Sequence, residues 1–542
     1  MDRNKNLARL KSESFDICVI GGGASGAGVA LDAVLRGYKV ALVEADDFAS
    51  ETSSKSTKLI HGGVRYLEQA FKNLDFAQLK QVRHGLEERH ILLANAPHLT
   101  RPLPLITPVF SWFEGFYFTV GLTIYGWFAK TDTLPRSKWL SRAETFQRMP
   151  TLNKKTHSSV LYYDGQLDDT RYCLAIVRSA DVAGAAVVNH TRLSDFEKNT
   201  AGVITSAIVK DNLSDASFSV KAKIFINCTG ASADTLRLRA NPDSEKRIRP
   251  SKGAHVVLPQ SVLNSDSAML IPKTHDGRVV FAIPFENNIV VGTTDTDADD
   301  VNLEPVLQHA EINFLIETLE RYLENPVSRD NVQAGFAGLR PLISGSNTKS
   351  TKKLVRDHEV ETDIKSGLIS LLGGKWTTYR LMAKDTVDVA DKILNKKIGI
   401  CKTEKHILQG GEKLSDTEIK KFCNKFDPDT VFRLISKYGS DAEKILELTR
   451  ENTEWSQTFV PGYPFIKAEI VYAVREEMAL TVRDFLARRT RLEISDWRLA
   501  SDAAPIVAKL MGEILGWSKE KINKETADYQ QLIASFVMRS KN

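Results

Sequence analysis

The chain has 542 residues, of which 42% are hydrophobic and 26% are charged. This composition is typical of a folded globular protein and excludes collagen-like, coiled-coil and disordered chains. The formal net charge of +5 is too small to indicate nucleic-acid binding, although a mild basic excess suits an anionic substrate or an anionic membrane surface. The 5 cysteines form no CxxC pair, so neither a disulfide framework nor a zinc site is predicted.

A glycine-rich turn between two predicted strands is the first strong signal along the chain. Asp16–Ile20 and Lys39–Val43 have the composition of buried strands, and Ala24–Arg36 between them is predicted to be a helix. The GxGxxG pattern of the turn permits a tight bend, close approach of backbone to a pyrophosphate, and helix–strand packing. The acidic residue that ends the second strand can accept hydrogen bonds from ribose hydroxyls. The dinucleotide-binding residues predicted from this unit are Gly21, Gly23, Ala24, Ser25, Gly26 and Glu44.

The polar segment 52–68, TSSKSTKLIHGGVRYLE, follows the second strand and bears on which dinucleotide binds. One interpretation is a polar loop that enters a helix at Val64, with His61 as a cap or a solvated side chain. The other is a loop whose backbone runs against a flat cofactor ring, with His61, Arg65 and Tyr66 facing a small anionic substrate. Composition leaves both interpretations open, although such a loop disfavours a nicotinamide cofactor.

These segments, together with several further blocks, resemble the FAD-dependent glycerol-3-phosphate dehydrogenases, the respiratory enzymes of bacteria and mitochondria. The resemblance covers nearly the whole chain. Its blocks are GGGASGAG, TSSKSTKLIHGGVRYLE, ANAPHL (94–99), YYDGQLDDTR (162–171), INCTG (226–230), VVGTTDT (290–296), GLRPL (338–342) and GGKWTTYR (373–380). The block YYDGQ and the downstream RRTRL (488–492) are most similar to the mitochondrial form. No D-x-[DN]-x-[DN]-G loop of the calcium-binding extension occurs in the tail, so calcium regulation is not expected.

Pattern and resemblance together predict an α/β fold with three parts. These are a Rossmann-like FAD-binding domain, an inserted β-rich substrate domain and a C-terminal helical domain. The expected boundaries are 1–95, 160–250 and 340–400 for the first, 96–159 and 251–339 for the second, and 401–542 for the third. Strand-like runs in the substrate domain are His255–Leu258, Arg278–Ile283 and Asn288–Gly292. The tail, with amphipathic stretches such as Ile466–Arg488, is interpreted as a packing or dimerisation domain, which leaves a homodimer open.

The chemistry implied by the resemblance is oxidation of sn-glycerol 3-phosphate at C2 to dihydroxyacetone phosphate, with hydride transfer to N5 of FAD. The implied catalytic residues are His61, Arg65, Arg340 and Lys375. The implied substrate-binding residues are Arg65, Tyr66, Thr293, Arg340 and Lys375. Further implied FAD contacts are Thr52, Ser53, Ser54, Lys58, Gly62, Gly63, Thr229, Gly230, Gly374 and Thr377. Guanidinium groups suit a phosphate dianion, and His61 is a candidate base, although the proton acceptor stays open.

Other histidines and acidic residues are assigned no catalytic part. We interpret His255 and His358 as structural residues. No grouping of His, Cys and carboxylate side chains has the spacing of metal ligands, so no metal is predicted.

Residues 102–129 form an apolar aromatic segment whose single charged residue is Glu114. Its prolines, its glycines and the glutamate argue against a membrane-spanning helix. The segment is interpreted either as buried core or as a helix that rests on the membrane interface. The membrane attachment and quinone use of the family favour the second interpretation. They imply a peripheral protein at the cytoplasmic face of the inner membrane, or a cytoplasmic one.

Three functions stay open at this point. The first is a dehydrogenase that passes electrons to a membrane quinone. The second is an oxidase of the same fold that uses O₂ as acceptor. The third is a non-catalytic FAD-binding membrane protein, which the joint presence of Arg65, Arg340 and Lys375 disfavours.

Overall fold

A computed structural model of the chain describes most of its residues. The described residues are 1–63, 76–128, 134–272, 274, 277–298, 301, 304–344, 358–395 and 399–541. Arg65 and Tyr66, both predicted to contact substrate, lie outside this part of the chain. The described residues form two large mixed sheets, a small two-stranded sheet and a helical C-terminal region.

The helices and strands are distributed along the whole described chain. The α-helices are Arg3–Ser12, Ala24–Leu35, Phe76–Asn95, Trp112–Phe128, Arg142–Arg148, Asp169–Val182, Ala233–Ala240, His309–Glu320, Tyr379–Ile393, Asp416–Cys423, Pro428–Tyr438, Ala442–Glu451, Ala468–Glu477, Leu492–Ser495, Trp497–Leu515 and Lys519–Lys541. The strands are β1 Ser14–Ile20, β2 Val40–Val43, β3 Leu59–Ile60, β4 Thr100–Val109, β5 Lys138–Leu140, β6 Ser158–Leu167, β7 Ala186–Val188, β8 Thr191–Lys198, β9 Ile204–Asp211, β10 Ser217–Asn227, β11 Ile248–Pro259, β12 Ala268–Ile271, β13 Val280–Phe285, β14 Asn288–Gly292, β15 Thr296–Asp297, β16 Ala334–Ile343, β17 His358–Thr362, β18 Ile369–Gly373, β19 Thr458–Val460 and β20 Tyr463–Ile466.

The first sheet contains the predicted dinucleotide-binding unit. Its central order is β18-β10-β1-β2-β7, and these neighbours are all parallel. Helix Ala24–Leu35 connects β1 to β2, as the sequence predicts. Because the carboxyl ends of parallel strands meet at one edge of a sheet, the segments that follow β1, β2 and β10 lie side by side there.

The second sheet is larger and mostly antiparallel. Its order is β15-β11-β14-β13-β12-β4-β6-β3, and β16 pairs with β11 over ten residues, from Ile248↔Ile343 to Val257↔Ala334. The three strand-like runs predicted in this part of the chain are confirmed as β11, β13 and β14. The division of the chain into domains stays a prediction.

The apolar segment 102–129 consists of two different elements. Its first part belongs to β4, and its second part is the helix Trp112–Phe128, so the interpretation of the whole segment as one helix is wrong. Pro102, Pro104 and Pro108 occupy alternate positions of β4, which places the three missing N–H groups on one side of the strand. No helix in the described ranges is both long and apolar enough to cross a membrane.

The C-terminal region packs against the second sheet through a shared apolar core. Val257 of β11 and Phe336 of β16 belong to the same buried cluster as the C-terminal helices. The predicted amphipathic stretch Ile466–Arg488 contains the helix Ala468–Glu477 and most of a π-helix, Asp484–Arg489. Met478 ends the first of these with a left-handed backbone, φ +51°. A homodimer through this region stays a prediction.

Candidate active site

The glycine turn between β1 and the helix Ala24–Leu35 forms a tight backbone cradle. Gly21 has a positive φ of +108°, and a Cβ there would lie 2.6 Å from the carbonyl oxygen of Cys228. A Cβ on Gly26 would lie 1.8 Å from the carbonyl oxygen of Gly21, so the helix can approach the turn only without a side chain. The first N–H groups of a helix favour an anion. The cradle therefore fits the pyrophosphate of a dinucleotide.

Glu44 and the end of β10 complete the cradle. One oxygen of the Glu44 carboxylate accepts the N–H of Gly22 at 2.5 Å, and the other accepts the N–H of Asp46 at 2.9 Å. Burial raises the pKa of Glu44 to about 7. Thr229 follows β10 beside the turn, because Cys228 N–H donates to Ile20 O, and the next residue, Gly230, has φ +57°.

The 52–58 loop, residues Thr52 to Lys58, connects the cradle to the rest of the site. Ser53 Oγ accepts the N–H of Ala24, the first residue of the cradle helix, at 2.9 Å. Ser53 O accepts Trp376 Nε1 at 2.9 Å, which joins the loop to the turn that carries Lys375. Thr52 Oγ1 donates to Leu339 O at 2.6 Å, immediately before Arg340 in β16. The loop therefore links three of the blocks that the sequence analysis singled out.

Lys58 and Ser54 direct their side chains into the protein. Lys58 Nζ donates to Ser54 O at 2.8 Å and to Asp169 Oδ2 at 2.7 Å, and the side chain is fully buried. Burial lowers the pKa of Lys58 to about 7. Ser54 Oγ donates to Glu51 O at 3.0 Å. These side-chain atoms already bond protein groups, and a contact of either residue with FAD stays a prediction.

His61 lies between the second sheet and the turn that carries Lys375. Its N–H donates to Thr377 Oγ1 at 3.4 Å, and its ring centroid lies 6.2 Å from that of Phe281. The N–H of Gly62 donates to the hydroxyl of Tyr125 at 2.7 Å. The backbone around His61 is therefore fixed by the helix Trp112–Phe128 on one side and by the Lys375 turn on the other.

A row of residues crosses four strands of the second sheet and faces the 52–58 loop. Phe281 pairs with Gly292, and Gly292 in turn pairs with His255. His255 pairs with Phe336, and the two rings stack 4.6 Å apart. Directly paired residues share one face of a sheet, and Thr57 Oγ1 of the loop lies 3.0 Å from His255 Nε2. We call this row the aromatic floor.

Arg340 lies at one end of the aromatic floor. It occupies the same face of β16 as Phe336, four residues further along. Its Nη2 donates to Thr293 Oγ1 at 2.8 Å, and its Nη1 lies 3.8 Å from Asp295 Oδ1. A Cβ on Gly253 would lie 2.3 Å from Nη2, so that glycine provides the space for the guanidinium. The Arg340 side chain is 24% exposed. The structure thus brings two of the predicted substrate-binding residues, Thr293 and Arg340, into direct contact.

Lys375 is held on a turn with an unusual backbone. Gly373 and Gly374 both have a positive φ, +71° and +87°, and a Cβ on Gly374 would lie 2.4 Å from the Met382 side chain. Lys375 precedes the short 3₁₀ turn Trp376–Thr378, which leads into the helix Tyr379–Ile393. This is the predicted helix start, and its N–H groups suit the negative charge that develops on a reduced flavin.

Several residues of the site were not identified from the sequence. His255 was interpreted as structural, yet it contacts the 52–58 loop and packs against Gly292, next to Thr293. Gly253 and Asp295 shape the surroundings of Arg340. The alternation of Gly253 and His255 along β11 was the available signal, because both side-chain positions face the same side of a strand.

A buried group of two acidic residues and a histidine includes Asp47, next to Phe48, which packs against the glycine turn. The ligand atoms of Asp47, His190 and Asp484 lie within 4.8 Å of one another. His190 Nε2 is 2.9 Å from Asp484, and Arg488 Nε is 2.6 Å from Asp47. Because guanidinium groups already neutralise these carboxylates, we interpret the group as an ion-pair network.

Comparisons with known proteins show which family the chain resembles. Residues 16–380 match the family of FAD dependent oxidoreductases, and residues 401–522 match the C-terminal domain of alpha-glycerophosphate oxidase. A probable mitochondrial glycerol-3-phosphate dehydrogenase of Caenorhabditis elegans is 40% identical over 94% of this chain and 72% of its own length. A mitochondrial glycerol-3-phosphate dehydrogenase of Arabidopsis thaliana is 39% identical over 98% of this chain and 87% of its own length.

The solved structures show the same relationship. The X-ray structure of the glycerol-3-phosphate dehydrogenase from Bacillus halodurans, complexed with FAD, covers 98% of this chain. The match extends over 97% of that chain with a TM-score of 0.80 and 30% sequence identity. FAD is accordingly the cofactor of this protein, and its binding in the cradle stays a prediction. The chain belongs to the family of FAD-dependent glycerol-3-phosphate dehydrogenases.

Proposed function

We propose that the protein oxidises sn-glycerol 3-phosphate at C2 to dihydroxyacetone phosphate and that its electrons pass to a membrane quinone. The observation that carries the proposal is the position of Arg340 and Thr293 beside the aromatic floor and opposite the 52–58 loop. FAD, when bound in the cradle, supplies the acceptor for the hydride that leaves C2.

Arg340 is suited to bind the substrate phosphate. Its side chain is 24% exposed, and its Nη2 donates to Thr293 Oγ1 at 2.8 Å and to Thr294 O at 3.1 Å. Asp295 is also occupied by Ser251 Oγ, with which it makes a short hydrogen bond. A phosphate dianion can therefore receive a fork of N–H groups from Arg340 and a hydroxyl from Thr293. Lys375, on its separate turn, would add positive charge near the reduced flavin.

Oxidation at C2 also requires a base that accepts the proton of the C2 hydroxyl group. His61 lies beside the floor at Phe281 and is partly exposed, so it can reach a substrate lying on that floor. His255 is buried, and burial together with the charges of Lys58 and Arg340 holds its pKa well below the usual range. We infer that His61 accepts the proton, and that neutral His255 orients Thr57 within the 52–58 loop.

The visible spectrum under anaerobic conditions tests the reaction. Adding sn-glycerol 3-phosphate to the FAD-loaded protein should bleach the flavin band, and adding glycerol at the same concentration should bleach it far more slowly. Failure of glycerol 3-phosphate to bleach a flavin that dithionite does reduce would exclude this substrate. Production of H₂O₂ in place of quinone reduction on readmission of oxygen would identify an oxidase.

The helix Trp112–Phe128 is the surface through which we infer contact with the membrane. Trp112, Phe113 and Trp127 are 56%, 79% and 77% exposed. On its inner side, a Cβ on Gly115 would lie 2.4 Å from the Trp139 ring, so the helix is seated closely on the protein. A contiguous exposed aromatic surface is rare on proteins without a partner, and Trp and Tyr suit the headgroup level of a bilayer.

Vesicle binding tests this surface. Replacing Trp112, Phe113 and Phe116 with Ser should release the protein from anionic lipid vesicles and slow quinone reduction. Flavin reduction by glycerol 3-phosphate should stay nearly unchanged, because the two half-reactions use different surfaces. Phe432→Ser is the matched control, since Phe432 is also exposed, at 56%, but lies elsewhere. Unchanged vesicle binding by the triple variant would move the attachment to another segment.

A further inference from the structure

We propose that Arg491 is a positioning residue that anchors the 52–58 loop and thereby fixes the flavin ring against the substrate. The proposal rests on the proposed function in one respect, namely that this loop faces FAD. Arg491 belongs to the C-terminal region, which the sequence analysis assigned to packing without chemistry.

The backbone at Arg491 is held in a rare conformation. Arg491 has φ +67°, in the left-handed region that favours glycine, and it directly follows the π-helix Asp484–Arg489 and Thr490. Such a conformation costs a non-glycine residue free energy, and π-helical turns are frequent at functional sites. The side chain is nevertheless only 1% exposed. The left-handed backbone of Arg491 therefore directs its guanidinium into the interior of the protein.

The partners of Arg491 are the same two groups that hold Lys58. Arg491 Nη2 donates to Ser54 O at 2.7 Å and to Asp169 Oδ1 at 3.0 Å. Lys58 Nζ donates to the same carbonyl and to the other oxygen of Asp169. Ser56 adds its N–H and its hydroxyl to that second oxygen at 3.0 and 2.7 Å. Asp169 thus binds the loop from within, and Arg491 binds it from the C-terminal region.

The anchored segment touches each part of the candidate site. Ser53 contacts the cradle helix and Trp376, Thr52 contacts the strand of Arg340, and Thr57 contacts His255. A shift at Ser54 would therefore displace the cofactor contacts and the aromatic floor relative to each other. A misplacement of reacting atoms by about 1 Å can slow a reaction roughly 100-fold. Such a shift should therefore slow hydride transfer more than it weakens FAD binding.

The geometry calls for arginine at this position. One guanidinium reaches Ser54 O, Asp169 and, through Nη1, Ala487 O at 3.0 Å, all in a fixed planar fork. A lysine could keep the charge beside Asp169, but its single Nζ cannot serve these three directions at once. Arg491→Lys should therefore keep the fold and lose part of the positioning.

The test compares Arg491→Met with Arg489→Met in the full-length FAD-loaded protein. Arg489 belongs to the same segment, RRTRL (488–492), and is equally buried. It binds Asp47 and the carbonyl of Glu477, and it makes no hydrogen bond to the 52–58 loop. Both variants should lower the thermal midpoint. Arg491→Met should also change the shape of the visible FAD band and slow flavin reduction at saturating glycerol 3-phosphate about 10- to 100-fold. Arg489→Met should leave both readouts close to the parent.

Several results would overturn the proposal. Equal slowing of flavin reduction in the two methionine variants would assign Arg491 a general structural role. A parent-like spectrum and rate in Arg491→Met would do the same. If Arg491→Met does not fold, Arg491→Lys carries the test, and parent-like behaviour of that variant would refute the need for the fork. The FAD spectrum is recorded without substrate, so it tests Arg491 even if glycerol 3-phosphate fails to reduce the parent.

Discussion

Two arginines of this protein, Arg340 and Arg491, sit in contrasting environments. The Arg340 side chain is 24% exposed, and its Nη2 donates to the hydroxyl of Thr293 and to the carbonyl of Thr294 at 2.8 and 3.1 Å. Arg491 is buried, and one of its nitrogens is shared between a carbonyl and a carboxylate at 2.7 and 3.0 Å. An arginine that binds substrate must exchange partners, whereas one that positions a loop must keep them. We therefore expect Arg340 to bind substrate and Arg491 to hold the 52–58 loop in place.

The largest expected effect comes from removing the exposed arginine. Arg340→Ala should retain its FAD and lose roughly 10- to 150-fold in kcat/KM with glycerol 3-phosphate, as expected for a charge-assisted hydrogen-bonding partner. Steady-state kinetics with glycerol as the alternative substrate provide the control, because glycerol has no phosphate and should show a smaller loss. Equal losses on both substrates would place Arg340 in the same class as Arg491.

An adjacent pair of glycines offers a finer separation of the two roles. Gly253 and Gly338 are direct partners across β11 and β16. A Cβ on Gly253 would displace Arg340, whereas a Cβ on Gly338 would lie 3.0 Å from Lys55 Cβ in the 52–58 loop.

Gly253→Ala should therefore raise KM for glycerol 3-phosphate with a normal FAD spectrum, and Gly338→Ala should alter the spectrum. Changes of the order of tenfold are expected, since the alanine methyl group forces shifts of a few tenths of an ångström. The measurements are KM for glycerol 3-phosphate and the visible absorption spectrum of FAD in both variants. The reverse pattern would show that the two glycines do not divide binding from positioning.

The smallest expected effect concerns the buried lysine that shares the partners of Arg491. Burial lowers the pKa of Lys58 to about 7 from its ordinary value of 10.5. Between these two pH values the unfolded chain binds more protons than the folded one, so Lys58 makes stability rise with pH across this window. The contribution to the slope is at most about 1.4 kcal/mol per pH unit.

Lys58→Met should lack this contribution. Urea unfolding of the FAD-loaded protein at pH 7.5 and pH 9.5 should therefore show a smaller gain in stability for the variant than for the parent. An identical gain in the two proteins would mean that Lys58 stays fully charged throughout this range.

The parts of the site that could be predicted from the sequence are those made by contiguous residues. The cradle from Gly21 to Glu44 is one strand–turn–helix–strand unit, so spacing alone predicts its geometry. The aromatic floor has no such signature, because Phe281, His255 and Phe336 become neighbours only through the register of four strands. Arg340 is indicated by the family resemblance, whereas its contact with Gly253 depends on the register between β11 and β16.

One segment was predicted wrongly, and in a second segment the burial of a charged residue could not be predicted. The apolar composition of 102–129 does not reveal that its first part is a strand, because the three prolines lie at alternate positions and remove N–H groups on one side of β4 only. In the stretch Ile466–Arg488, the helical periodicity of charged residues resembles a solvated helix surface. Arg488 is buried there by Asp47, a partner 441 residues earlier, which no local pattern can indicate.

The hydrogen bond from Arg491 to Ser54 spans 437 residues of chain, and this distance has a consequence during biosynthesis. At typical translation rates, roughly 20 to 90 s separate the emergence of these two residues from the ribosome. The part of the cradle between Gly21 and Glu44 is complete early in synthesis, but Arg491 can anchor the 52–58 loop only after the C-terminal region has been made.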